Sequence, residues 1–285
     1  MDQPLVSIVV VSYNQGKYIK ENLDSINSQT YDNIQLIVAD DASKDTTVEV
    51  FDNWLLENNY SAEKNYHQKN TGLATILNEC LKLAKGRYLK IIAADDYLHP
   101  EYIEKCLSKL IEEQSHVVFT QATSIDNDSH ILKSDFFSIP DNPIENIEEK
   151  ISFGNFISGS TLFYDMTILK TIGNYKKDIL LEDYDFILRV ISADFKISFI
   201  NKNLVYYRQH ETNISKTKLI ALEAETEILK YKYFKARKFA NTINHSTSQK
   251  INLYGKEFVK LIFIRYICYN CLSKRTLLKM IKNLL

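Results

Sequence analysis

Twice in its first hundred residues this chain ends a strand-length, mostly apolar run at a pair of aspartates. The runs are Ile34-Gln-Leu-Ile-Val-Ala-Asp40-Asp41 and Tyr88-Leu-Lys-Ile-Ile-Ala-Ala-Asp95-Asp96. An apolar run of this length reads as a strand buried on both faces, and such strands belong to parallel sheets covered by helices. In open sheets of that kind, ligands bind beyond the carboxyl ends of the strands. Two adjacent carboxylates repel each other unless positive charge shares the site, and Mg²⁺ or Mn²⁺ held against substrate phosphates is one such partner. The other reading is a turn whose acid caps the next helix, a common use of Asp. Taken alone, Asp95-Asp96 leaves both readings open.

The rest of the first 120 residues keeps the same rhythm. Val6-Ser-Ile-Val-Val-Val11 is a first strand ending in Ser12-Tyr13-Asn14, and Ile19, Leu23 and Ile26 then repeat at helical spacing. A helix through Trp54 and Leu55 follows the Asp40-Asp41 strand, and the polar segment 58–70 carries a short strand. Asn70-Thr-Gly72 opens a helix whose apolar face is Ile76, Leu77, Cys80, Leu81 and Ala84, closed by Gly86. After Pro100, the residues Tyr102, Ile103, Cys106, Leu107 and Leu110 give another helical face before a short strand at 117–119. Strands alternating with helices predict an α/β fold with a mostly parallel central sheet flanked by helices. Beyond it, residues 124–149 read as a polar surface excursion. Residues 186–191 are apolar almost all round and predict a buried helix, and residues 196–200 and 205–210 read as two further strands.

Several function classes are excluded. The seven glycines form neither G-x-G-x-x-G after the first strand nor G-x-x-x-x-G-K-[ST], so a dinucleotide-type Rossmann loop and a P-loop are both absent. A bound nucleotide would need its diphosphate neutralised by something other than a glycine cradle, and the strand-end carboxylates point to a metal. Cys80 and Cys106 fall on apolar helical faces and read as core thiols in a reducing compartment. Cys268 and Cys271 form a lone C-x-x-C without the second pair or histidines that zinc needs. The start, Met1-Asp-Gln-Pro-Leu5, has neither basic nor apolar leader character, and no apolar run reaches bilayer length. A cytoplasmic location is the expectation.

Charge divides the chain. Residues 1–215 carry 20 basic and 32 acidic side chains, whereas residues 216–285 carry 15 and 4. An acidic body of 1–215 is thus followed by a basic extension of 216–285, with helical patterns at about 217–239 and 251–285. Lys260 and Arg265 interrupt the apolar run in the second pattern, which makes it amphipathic and not membrane-spanning. Such a helix can lie on an anionic membrane surface, pack on its own domain or form a dimer contact. Nothing else in the sequence points to nucleic acid.

The ordered series Val6-Ser-Ile-Val-Val-Val-Ser-Tyr-Asn14, Leu36-Ile-Val-Ala-Asp40-Asp41-Ala-Ser43, Asn70-Thr-Gly72 with Asn78, Ala84-Lys-Gly86-Arg-Tyr88, Asp95-Asp96 and Glu182-Asp183 resembles that of the family 2 glycosyltransferases. The resemblance spans roughly residues 4–212. It implies the GT-A (Rossmann-like) fold and inverting transfer of a sugar from a nucleotide-diphosphate donor, most often UDP-linked, with Mn²⁺ or Mg²⁺ as cofactor. Residues 1–120 would then be the nucleotide-sugar half and 121–215 the acceptor half. A glycan or lipid-linked glycan in bacterial surface polysaccharide synthesis is the expected acceptor, at the inner face of the cell membrane. A glycoprotein acceptor, or a non-catalytic sugar-binding subunit of the same fold, are the alternatives.

The resemblance also assigns roles. Ser12 and Tyr13 would line the nucleoside pocket with Asn70, and Asp41 would contact base or ribose. Asp95 would face the donor, Asp96 would hold the metal, and Arg208 and His210 would lie near the diphosphate. Many members carry a further aspartate two residues before Asp96, where this chain has Ala94. Asp183 matches the catalytic base, with Asp185 on the same turn as its rival and a helix-capping acid as the plain alternative. One positioned carboxylate suffices for inversion: it takes the acceptor hydroxyl's proton during a single displacement, an effect typically worth about 10²–10⁴-fold in rate.

Overall fold

In the computed structural model, which describes residues 3–234, 247–255 and 258–262, the parallel strands come first along the chain. β1 (Val6–Ser12), α1 (Ile19–Asn27), β2 (Ile34–Asp40), α2 (Thr47–Glu57), β3 (Ala62–Tyr66), α3 (Leu73–Leu83) and β4 (Tyr88–Ala93) alternate as the apolar pattern demands. β1 pairs in parallel with both β2 and β4, and β2 with β3. Odd and even residues of each strand go to opposite faces. Val6, Ile8 and Val10 pack with α1, α2 and α4 (Tyr102–Glu113), whereas Val9 and Val11 pack with α3. Gly86 lets the chain enter β4 hard against β1, since a Cβ there would lie 2.5 Å from the Ser7 amide nitrogen.

The remaining strands are β5 (Tyr97–Leu98), β6 (Val117–Ile125), β7 (Ile131–Lys133), β8 (Phe163–Asp165) and β9 (Ile197–Arg208). Sheet order is β3-β2-β1-β4-β8-β6-β9-β5, with β7 paired to β6. β8 runs antiparallel between β4 and β6, while the long β6–β9 pair is parallel. The chain moves outward from β1 to β3 and then resumes beside β1 as β4. The switch point therefore lies between β1 and β4, beyond whose ends stand Tyr13 and Asp95-Asp96.

Two expectations change. β6 continues through Ile125 with all nine residues buried, polar ones included, because Gln121 bonds the Phe137 carbonyl and the Ala122 amide. The two strands expected at 196–210 are one strand, kept in register with β6 by irregularities at Thr120–Ala122.

After β7 come the helices α5 (Ile147–Phe153), α6 (Leu169–Ile172), α7 (Glu182–Ser192), α8 (Ile214–Thr217) and α9 (Leu219–Phe234), and residues 247–255 and 258–262 are helical as well. α7 is buried from Tyr184 to Ile191, as its composition predicts. α9 crosses α7 and is tied to the body: Lys232 and Tyr233 both reach Asp185, and Lys230 donates to the Phe153 carbonyl. Phe258 and Ile262 pack on Ala224 and Ile228 of α9. The rest of the basic extension, with Arg265, Cys268 and Cys271, lies outside the described residues. Among the described residues no helix is long and apolar enough to cross a membrane. Cys80 and Cys106 are buried free thiols, as expected.

Candidate active site

The end of β1 builds one wall. Ser12 is buried, and its hydroxyl donates to the Ala39 carbonyl and to Asp40. Asp40 is sealed by the Ser43 amide as well. Of the first-strand pair, Tyr13 is the residue open to a ligand, at 48% exposure. Asp41, expected to touch a base or ribose, has its oxygens filled by the protein. Oδ1 accepts from the Thr71 amide at 2.8 Å and hydroxyl at 3.2 Å and meets His67 Nδ1 at 2.9 Å, while Oδ2 accepts from the Gly72 amide at 2.8 Å. Asp41 thus fixes the loop that presents the exposed Asn70.

Sequence reasoning missed His67. Its second ring nitrogen meets Glu79 at 2.6 Å. A neutral imidazole has one donor, and carboxylates only accept, so bonds to acids on both nitrogens require the imidazolium. Burial opposes that charge, but Glu79 and Asp41 outweigh it and hold the His67 pKa above its ordinary value. The single His in a polar segment gave no periodic signal to find it by.

At the end of β4 the two aspartates part company. Asp96, the expected metal ligand, is 2% exposed, and its Oδ1 accepts from the Arg208 amide at 2.9 Å. Burial and the neighbouring Asp95 charge push its pKa well up. Asp95 instead meets His210 Nε2 at 2.8 Å, and the His210 ring stacks on Tyr18 with centroids 6.0 Å apart. The structure thus brings Asp95 and His210 together, a pairing that the sequence did not predict. Ala94 is fully buried among apolar side chains, so a carboxylate there would enter the core. Ala93, half-buried on the other face, is the position from which a third acid could reach this edge.

Arg208 stands apart from its expected role beside a diphosphate. At 1% exposure, its guanidinium donates to the Asp95 carbonyl, the Asp126 carbonyl, the Ser129 hydroxyl and Glu21, and its plane lies over the Tyr18 ring. Every face of the fork is used by the protein. Arg208 is a structural tie for the segment that follows β4.

Asp183 opens α7. Its Oδ2 accepts from the Gly159 amide at 2.8 Å and its Oδ1 from the Tyr184 amide at 2.7 Å. Burial raises its pKa against the pull of these two amides. A Cβ on Gly159 would lie 2.8 Å from Asp183 Cβ, so only glycine admits this approach. Glu182 is pushed further, to about 8, by burial and then by the Asp183 and Glu225 charges. Asp185, the rival base, is fully buried and committed to Arg189 at 2.7 Å, Lys232 at 3.0 Å and Tyr233 at 2.7 Å. It is a packing anchor.

The turn beside Asp183 and strand β4 share a floor. The fully buried Lys90 donates to the Ser160 carbonyl, in the turn that carries Gly159, and sits 4.5 Å above the Tyr102 ring. Burial lowers its pKa to about 7, with the nearby Asp96 charge working the other way. Tyr102 closes the floor by donating to the Thr161 and Leu162 carbonyls.

Among the described residues no three His, Cys, Asp or Glu side chains cluster as a ready metal cage. Asp95 and His210 do supply an oxygen and an imidazole, donor types that suit Mn²⁺. Mg²⁺ and Mn²⁺ sites commonly fill their remaining positions with substrate phosphates and water.

Comparison with known proteins agrees with this architecture. The profile described as Glycosyl transferase family 2 matches residues 7–172. The Escherichia coli UDP-Glc:alpha-D-GlcNAc-diphosphoundecaprenol beta-1,3-glucosyltransferase WfaP is 33% identical over 233 residues, covering 79% of this chain and 86% of its own length. TarS of S. aureus, solved with UDP-GlcNAc, superposes with a TM-score of 0.65 at 20% identity over 87% of this chain and 72% of that one. A Pyrobaculum calidifontis mannosyltransferase, solved with GDP-Man and Mn²⁺, gives 0.63 at 15% identity over 99% and 85%. With this fold, this strand-edge site and these matches, the chain belongs to the family 2 glycosyltransferases of the GT-A type.

Proposed function

We propose that the protein is an inverting, metal-dependent transferase that moves a hexose or N-acetylhexosamine from a UDP-linked donor to a hydroxyl of a lipid-linked glycan. The observation that carries this reading is the Asp183 carboxylate, held by two backbone amides at the head of α7 and raised in pKa by burial. A base is most effective when its pKa approaches working pH. Asp183 would take the acceptor hydroxyl's proton as that oxygen attacks the anomeric carbon from the face opposite the leaving diphosphate.

Tyr13 and the Asn70–Gly72 loop would receive the nucleoside, with Ser12 and Asp41 behind them. Asp95 and His210 would hold Mn²⁺ or Mg²⁺, while Asp96, sealed by the Arg208 amide, fixes the strand end. When bound, the cation would neutralise charge developing on the leaving phosphate oxygen. UDP and a lipid-diphosphate acceptor are supported by the WfaP and TarS likenesses. An acceptor of that kind would draw the protein to the inner face of the membrane, where the basic residues of 216–285 suit anionic lipid.

The test is a thermal-shift panel of UDP-glucose, UDP-GlcNAc, GDP-mannose and dTDP-rhamnose with and without Mn²⁺, followed by turnover of Asp183→Asn. A Mn²⁺-dependent shift with a UDP-sugar, and loss of transfer with donor binding retained in the variant, are expected. Near-wild-type turnover by Asp183→Asn would remove the base assignment.

A further inference from the structure

The helix that carries the base has an uncapped N-terminus. Leu181 occupies the cap position of α7 and offers no side-chain acceptor. The amides just ahead of the base are nonetheless satisfied from elsewhere in the chain. Glu225, fully buried on α9, accepts from the Leu180 amide at 2.7 Å and the Leu181 amide at 2.8 Å through one oxygen. A carboxylate at a helix N-terminus is favoured by the unpaired amides and by the helix dipole. Here it comes from a helix beyond the 7–172 segment that the family profile covers. Further along, Lys232 and Tyr233 grip Asp185, two residues beyond the base. The segment 180–185 is therefore held by Gly159 on one side and by α9 on the other.

We propose that Glu225 is a positioning residue for the transfer reaction: as the acceptor for the two amides that lead into α7, it sets where Asp183 stands, and this makes α9 a working part of the transferase. The proposal rests on the reading of Asp183 as the base. Glu225 does not touch substrate. It acts by fixing the backbone from which Asp183 projects, and a displacement of about 1 Å at a reacting group costs on the order of 10²-fold in rate.

The test uses the full-length protein, measuring UDP release from UDP-glucose or UDP-GlcNAc with Mn²⁺ and acceptor. Glu225→Ala is expected to lower kcat by about 10–100-fold while donor KM stays within about twofold. Glu225→Gln, which keeps an acceptor oxygen in place, is expected to recover most of that loss. Glu225→Asp withdraws the carboxylate by one methylene, gives a milder second variant should the alanine form not fold, and is expected to lose about tenfold. Hydrogen exchange of the 178–186 amides should quicken in the alanine and aspartate forms and not in the glutamine form. Wild-type kcat in both the alanine and the aspartate forms would overturn the proposal. So would a loss in kcat matched by an equal rise in donor KM. In the double variant with Asp183→Asn, the Glu225→Ala effect should vanish, because both act through one group. If Asp183→Asn alone stays active, the base reading fails. If the Glu225→Ala loss persists undiminished in the residual turnover of a strongly impaired Asp183→Asn background, the positioning proposal fails and the base reading stands.

Discussion

Gly159→Ala isolates the geometry of the base from its chemistry, because it leaves every ionisable group in place. The added Cβ would lie 2.8 Å from Asp183 Cβ, 3.1 Å from Oδ2 and 3.3 Å from Cγ. Carbon atoms pack at about 3.5–4.0 Å, so the carboxylate or the turn must retreat by roughly 1 Å. That retreat lengthens the 2.8 Å bond from the Gly159 amide to Oδ2. Strain of this size costs about 1–3 kcal/mol of stability. The same 1 Å at the base predicts a kcat about 10²-fold lower. The assay is UDP release at saturating donor, with the midpoint of thermal unfolding measured on the same samples. Gly154→Ala is the internal control, since no atom lies within 4 Å of its added Cβ, and it should leave kcat unchanged. Wild-type kcat for Gly159→Ala would refute the claim that this turn sets the base.

Three further outcomes are expected. His67 has a raised pKa in the folded state, so its stabilising contribution is complete below about pH 6.5 and is lost as pH rises through the folded value. The thermal midpoint should therefore fall more steeply toward about pH 9 in the wild type than in His67→Gln, and parallel slopes would contradict the imidazolium. Arg208→Lys keeps the charge but strips the fork from the Asp95 and Asp126 carbonyls. At about 1–3 kcal/mol for each of the two stranded acceptors it should cost roughly 2–6 kcal/mol in a denaturant titration, and a change under about 0.5 would refute its role as a tie. The stabilisation by Mn²⁺ in the presence of UDP should disappear in Asp95→Asn and in His210→Ala, while Asp96→Asn, if folded, should retain it. The reverse pattern would return the metal to Asp96.

The parallel half was legible because its apolar periodicity is strong and each strand ends where a carboxylate or a turn begins. Position along the chain put Asp95 and Asp96 just past β4 and Asp183 at the head of α7. What each aspartate does was not legible, since the answer depends on partners far away in sequence. Asp41 was filled by Thr71, Gly72 and His67, and one oxygen of Asp96 was taken by an amide over a hundred residues distant. Asp183 and Asp185 are like acids on one turn of the chain, and only the packing of α9 commits Asp185 to Lys232 and Tyr233. The second half of β6, beyond the short strand expected at 117–119, escaped notice for the opposite reason. Its buried Thr, Gln and Ser residues imitate a loop until their hydrogen bonds are seen.

The Arg208 tie has a consequence for synthesis. Its amide meets Asp96 across 112 residues and its guanidinium meets Glu21 across 187. On a ribosome, β1 to β4 emerge long before β9 exists to join them. Contacts this distant in sequence form late and slow a fold down. The nascent half must therefore wait with its acidic edge unbraced, and a fragment of residues 1–120, however native its strands, would lack the brace that completes the donor edge.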